Sequence, residues 1–261
     1  MAKRRIAWKR IILSLATLGV VICLFMYIFN TDGEPVCKEI DIKIRNSEVA
    51  KLITTGDIRK IIEQTKIAGK GKPLNAKVVD KTLKLVKSKG SVKNVLVYQT
   101  GDSVLHVEFE QRLPVVRILG SFGSCYLDNE GISFPISARY ACDVPLVTGK
   151  VQIPAEGKML KDSIFSKNML AFVDFISNDP FWNAQIQQID IGANKNVEFV
   201  VSSDNHLIRF GQFYEFERKL DNLLTFYRNV NPYYKEKNSL PYTILDLRFA
   251  KQIIAVKKEL K

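Results

Sequence analysis

The chain has 261 residues, 46% of them hydrophobic and 25% charged, with 39 Lys and Arg against 27 Asp and Glu for a formal net charge of +12. That charge is no nucleic-acid signature, because five of the bases fall within the first ten residues and the 34 basic and 27 acidic residues beyond them are interspersed rather than run together. Three cysteines beyond the first thirty residues are too few for a disulfide-built scaffold, so the fold must rest on hydrophobic cores.

Lys3, Arg4, Arg5, Lys9 and Arg10 precede nineteen uncharged, mostly apolar residues, Ile11 to Phe29. As a helix rising ~1.5 Å per residue, that run reaches roughly 28 Å, the thickness of a bilayer's hydrocarbon core. The expectation is an uncleaved single-pass transmembrane helix over 11–29. Its basic tail, residues 1–10, is held in the cytoplasm by the positive-inside bias, with the bulk of the chain outside. A cleaved signal would have a shorter apolar run and a small-residue processing site, whereas this run ends Met26-Tyr27-Ile28-Phe29-Asn30. Ile22 before Cys23 argues against a lipoprotein anchor. The remaining length suits two small folded units.

Residues 30–35 read as a polar linker. Val36 to Ile44 alternates, with Ile40, Ile42 and Ile44 on one face, as a half-buried strand does. Thr54-Thr55-Gly56-Asp57 opens a helix whose stripe is Ile58, Ile61, Ile62 and Thr65, and Asn75 or a neighbour opens a second with Ala76, Val79, Leu83 and Val86, stopped by Gly90. Val92–Tyr98 and Val104–Phe109 are strands joined by a turn at Gly101-Asp102. This order, strand, helix, helix, strand, strand, resembles a POTRA domain, a module that packs two helices on a three-stranded sheet.

The rhythm then changes. Ser124–Leu127 and Ile132–Pro135 bracket the turn Asp128-Asn129-Glu130-Gly131, whose Gly can take positive φ. Pro145–Gly149 is extended, and a helix follows over about 164–178, ended by Asp179-Pro180. Short strands are expected at 186–191, 197–201 and 206–210. A long helix from Phe213 to Asn229 carries Phe213, Phe216, Leu220, Leu223, Leu224 and Tyr227 inward. After a polar loop at 231–239, Tyr242–Phe249 and Gln252–Val256 close the chain as strands.

The inventory for chemistry is thin. His106 and His206 sit in separate alternating strands with no partner at metal-ligand spacing. Gly69-Lys70-Gly71-Lys72 lacks the spacer and hydroxyl of a phosphate loop. Asp128 and Glu130 lie on a hairpin turn, a poor place to tune an acid, and Cys125 has no base nearby. An enzyme is not expected, nor any cofactor or metal. Cys125 and Cys142 flank the hairpin and its exit, so they either meet as a disulfide or stand as single buried thiols.

Five segments in order carry a family likeness: Glu110-Gln111-Arg112-Leu113-Pro114, Tyr126-Leu127-Asp128-Asn129-Glu130-Gly131 through Phe134, Pro145 to Gly149, Leu207 to Gly211 with the helix bearing Arg218 and Leu220, and Asp246-Leu247-Arg248-Phe249. With the anchor, they resemble the FtsQ/DivIB family of bacterial division proteins. The resemblance implies an α+β fold: a single N-terminal transmembrane helix, a POTRA-like β-α-α-β-β domain over 36–116, a mixed antiparallel β domain with two helices over 117–256, and a tail at 257–261. It also implies a non-catalytic scaffold of the divisome at the plasma membrane and septum, linking early septal proteins to septal peptidoglycan synthesis. Partners would be an FtsB/FtsL pair, taken up by strand addition at the C-terminal β edge, and other divisome proteins, with no nucleic acid.

On this chain the implied edge residues are Arg248, Phe249, Ala250, Lys251 and Gln252; the alternative for Phe249 is an inward residue following Leu245 and Leu247. Phe249 replaces a frequent Tyr, and Ile253 to Val256 depart from the family's small-residue segment. Arg112 and Pro114 would form a domain joint, Pro ending the ladder and Arg reaching acidic or carbonyl groups of the next domain; the alternative is a strand end with a solvated Arg. A POTRA-bearing envelope transport or assembly factor would show several such units or a barrel, and an anchored wall enzyme would show a nucleophile.

Overall fold

The computed structural model describes residues 2–30, 35–160, 163–202, 206–234 and 241–257. Most of the expected linker 30–35 and tail 257–261, and much of the polar loop 231–239, lie outside the described residues. The first element is one unbroken helix, α1 (Ala2–Asn30), so the basic tail and the apolar run form a single rod. Its apolar side chains from Ile11 to Tyr27 are exposed all along that run. Among the described residues no helix is long and apolar enough to cross a membrane. Within α1 the described side chains are those at 8 and 11–27, a shorter stretch than the expected span 11–29.

The next unit runs β1 (Glu39–Ile44), α2 (Thr55–Gln64), α3 (Ala76–Lys87), β2 (Val92–Gln99) and β3 (Val104–Gln111). Its sheet has the order β1-β3-β2, with β1 parallel and β2 antiparallel to the central β3. A parallel neighbour needs a crossover, which the two helices supply. Local chemistry sets the helix starts. Thr54 Oγ1 accepts from Asp57 N at 3.2 Å while Asp57 Oδ2 accepts from Thr54 N at 3.0 Å, a reciprocal capping box. Asn75 Oδ1 accepts from Val78 N at 3.1 Å to start α3. Leu105, Val107 and Phe109 point into a core shared with Ile40, Ile58, Ile62 and Val86, leaving His106 and Glu108 on the outer face.

The second unit contains β4 (Val116–Gly120), β5 (Gly123–Leu127), β6 (Ser133–Phe134), β7 (Leu146–Gly149), α4 (Ser163–Asn178), α5 (Pro180–Gln185), β8 (Gln188–Ile191), β9 (Val197–Val200), β10 (Leu207–Gly211), α6 (Phe216–Tyr234), β11 (Tyr242–Asp246) and β12 (Ile254–Lys257). One nine-stranded sheet takes the order β12-β11-β10-β9-β8-β7-β4-β5-β6. Helices α4 and α6 cover it, meeting the sheet in an aromatic cluster centred on Phe172, whose ring lies 5.1 Å from Phe210 and 5.2 Å from Phe213.

Four sequence expectations need correction here. The sheet is not simply antiparallel, because β4–β7, β7–β8 and β10–β11 pair in parallel. Asp179-Pro180 does not merely end a helix: Asp179 Oδ1 accepts from Phe181 N and Trp182 N, and Pro180 opens α5. Val116 belongs to β4 and hence to the second sheet, beyond the joint. The expected strand Tyr242–Phe249 stops at Asp246, and the residues after it turn.

Candidate docking edge and domain joint

At the C-terminal end of the sheet, β12 has one neighbour among the described residues, β11, in antiparallel register from Tyr242↔Lys257 to Asp246↔Ile254. Its Ile254 and Val256 side chains are 40% and 43% exposed, while Ala255 packs toward the core. The residues expected on this edge, Arg248 to Gln252, instead form the connection that turns β11 into β12. The physical cause is local. Arg248 wraps back on Asp246, its Nε 2.9 Å from Oδ1 and its Nη2 2.5 Å from Oδ2, while Arg248 N donates to Asp246 Oδ1 at 3.1 Å. This two-residue chelate curls the backbone out of the ladder.

Three further contacts hold the turn. Arg218 of α6 donates to the Ala250 carbonyl and pairs with Glu215 at 2.6 Å. Leu247 N donates to Arg209 O at 2.9 Å. Gly211 has φ +81°, and a Cβ there would lie 3.0 Å from the Arg248 stem, so the strand-Gly-helix segment makes room for the arginine. Burial pushes the Asp246 carboxyl up, but the Arg248 hydrogen bonds and charge outweigh it, and the net shift is downward. Phe249 is 45% exposed, so it is not a third inward residue after Leu245 and Leu247. Lys251 and Gln252 are exposed at the same turn.

The joint between the units is polar. Arg112 pairs with Asp128, which is 2% exposed, and lies 3.6 Å from Glu130. Asp128 also accepts from Ile132 N at 2.8 Å and Glu130 N at 3.0 Å, so one carboxylate ties both the β5–β6 turn and the preceding domain. Lys93 reaches Glu130 at 3.2 Å and lowers its carboxyl pKa, chiefly through their hydrogen bond. Glu156 accepts from Gly90 N at 2.7 Å, and Arg139 makes two 3.1 Å contacts to Asp57. Pro114 follows Arg112 between β3 and β4, with Val115 N bonding to Leu127 O at 2.9 Å. Gly131 in the hairpin turn takes φ +77°, the conformation a glycine permits there.

Of the two alternatives for Cys125 and Cys142, the structure shows single thiols and no disulfide between them. Burial raises the Cys125 thiol to about 11 and also pushes Cys142 up, so neither is a ready thiolate. His106 sits between Asp41 and Thr100, each at 3.1 Å, and His206 is buried with Nε2 2.6 Å from the Tyr227 hydroxyl.

One buried charge escaped sequence reasoning. Lys219 is 3% exposed and donates to the carbonyls of Phe210 at 3.0 Å and Gln212 at 2.7 Å, with its ammonium 4.4 Å from the Tyr214 ring. Burial lowers its pKa to about 8. The signal was available, since Lys219 lies within the helical stripe of Phe216, Leu220 and Leu223.

Comparison with known proteins follows the same division of the chain. A POTRA-like domain model matches residues 35–110, and the family model described as FtsQ/DivIB, C-terminal related, matches residues 113–256. No curated protein matches the chain. FtsQ/DivIB proteins are septal division proteins and are generally non-enzymatic. The second match covers more than half of the sequence and includes every strand of the nine-stranded sheet except the last residue of β12, and on that basis the chain belongs to the FtsQ/DivIB family of cell division proteins.

Proposed function

We propose that the chain is a non-catalytic, membrane-anchored scaffold of the bacterial divisome that takes up a strand from an FtsB/FtsL-type partner along β12. The observation that carries this reading is the terminal edge itself. Among the described residues β12 has a single neighbour, presents Ile254 and Val256 outward, and begins at a turn that Arg248, Asp246 and Arg218 hold in place. An antiparallel edge offers unpaired N–H and C=O groups for backbone pairing, and flanking side chains select the partner. Arg248 to Gln252 then fix the start of the edge rather than form its ladder.

The anchor is α1. Its residues 11–29 are uncharged and five bases stand before them, which favours insertion with the N-terminus inside. Such a chain would stand at the plasma membrane with both folded units outside, joining early septal components to septal peptidoglycan synthesis.

The test is capture of the FtsB/FtsL pair by the full chain. Ile254→Asp with Val256→Asp places charge on the docking face, and capture should fall by about tenfold or more. Arg218→Ala, which frees the turn, should weaken it by a smaller factor. Capture unchanged by all three substitutions overturns the reading.

A further inference from the structure

At the opposite end of the large sheet, Ser121 and Phe122 form the tip between β4 and β5, and the Phe122 side chain stands wholly in solvent. Segment 150–159 leaves β7 and reaches the outer side of β6, where Ser133 N donates to Lys158 O at 2.9 Å and Gly157 N to Ser133 O at 2.8 Å. Between the tip and this segment lies an open groove of about 960 Å³, lined by Phe122, Val151, Ile153 and Met159 together with Lys150 and Lys158.

Three observations bear on its occupant. Among the described residues, both ionisable side chains of the lining are lysines, and Lys150 also lines an adjoining recess with Lys195, so the described lining presents positive charge and no carboxylate. Strand β5 pairs with β4 along its length but with β6 only at Tyr126 and Leu127. Among the described residues, Gly123 to Cys125 therefore have no second strand. The walls are already set: Ser133 Oγ donates to Ala155 O at 2.6 Å, Glu156 is held at Gly90, and a Cβ on Gly120 would meet Val151 O at 2.6 Å.

We propose that this groove binds an extended acidic peptide segment of a partner protein, its apolar side chains against Phe122, Ile153 and Met159 and its carboxylates on Lys150 and Lys158. The free flank of β5 supplies backbone groups for the same segment. Charge of one sign on the rim steers an oppositely charged chain, and a preformed wall reduces the ordering cost. The exposed Phe122 tip alone would suit a membrane surface, but the trough behind it, walled by Val151, Ile153 and Met159, fits a chain.

The purified full chain in micelles is titrated into a fluorescein-labelled decapeptide alternating Leu or Phe with Glu, read by anisotropy. Lys150→Glu with Lys158→Glu, and separately Phe122→Ser, should each weaken binding by about tenfold or more. Reversal of two exposed lysines of the first domain, Lys60→Glu with Lys81→Glu, should change it by less than about threefold. Equal losses from both charge reversals would reveal non-specific attraction and overturn the proposal. So would groove variants that abolish binding to phosphatidylglycerol vesicles while leaving peptide binding intact. Ile254→Asp on β12 should not alter peptide binding, which separates this surface from the proposed FtsB/FtsL edge. Loss of peptide binding in Ile254→Asp with the groove variants silent would assign the peptide to β12 instead.

Discussion

Single residues in this chain do more than fill space, and Lys219 shows how. A lysine titrates near 10.5 when unfolded and at about 8 here, because burial disfavours its charge. Between those values the unfolded state binds more protons, so stability rises as pH rises through that window. The gain should reach up to ~3 kcal/mol by pH 10.5. Lys219→Met should flatten it, measured as the difference in urea midpoint between variant and parent at pH 7.5, 9 and 10. An identical pH response in both chains would show that the ammonium is not desolvated. Lys219 was legible only as a violation of an apolar stripe; its two carbonyl partners, Phe210 near the end of β10 and Gln212 just after it, are not revealed by helical spacing. Asp246 and Arg248 stood in plain view as an Asp-x-Arg pair. What their spacing did not disclose was that they chelate each other and end the strand.

At the level of elements, local rules decided most of what the sequence disclosed. The alternation of Leu105, Val107 and Phe109 and the caps at Thr54 and Asn75 act within a few residues, and the first domain was readable from them. Parallel pairing is another matter: β4–β7 and β10–β11 join segments separated by long connections, and a short apolar run gives no sign of its neighbour's direction. Strand β4 itself was hidden because Val116 to Gly120 follows a proline and is only five residues long. Gly149 lies where β7 meets β8, opposite Ile191. It has φ +97°, and a Cβ there would fall 2.3 Å from the Ile191 carbonyl oxygen. Gly149→Ala should therefore destabilise the second domain by roughly 2 kcal/mol or more, seen as a lower thermal midpoint. A midpoint within error of the parent would mean that the β7–β8 junction relaxes freely.

For the whole molecule, the joint is the feature with the widest reach. Two separate apolar cores meet through ion pairs and single hydrogen bonds, so each domain keeps its own stability while their relative placement rests on Arg112 and its acidic partners. Arg112→Ala strands Asp128, buried in the second domain, without its main counter-charge, at a cost of ~3 kcal/mol. Faster proteolytic cleavage between the domains and a lower melting point of the second domain should accompany it; unchanged cleavage would mean that the other joint contacts suffice.

The strand order carries a last consequence. From β4 onward the large sheet is laid down nearly in the order in which its strands occur in the chain, with β7 the one displacement and β12 the final addition. A chain emerging from its N-terminus can add strands to an existing sheet as they appear, and the proposed docking edge comes into being only when the last of them is in place. A chain cut short before residue 254 would leave β11, paired only with β10, as the edge instead, without the outward Ile254 and Val256. In this architecture the proposed docking edge exists only once β12 has paired with β11.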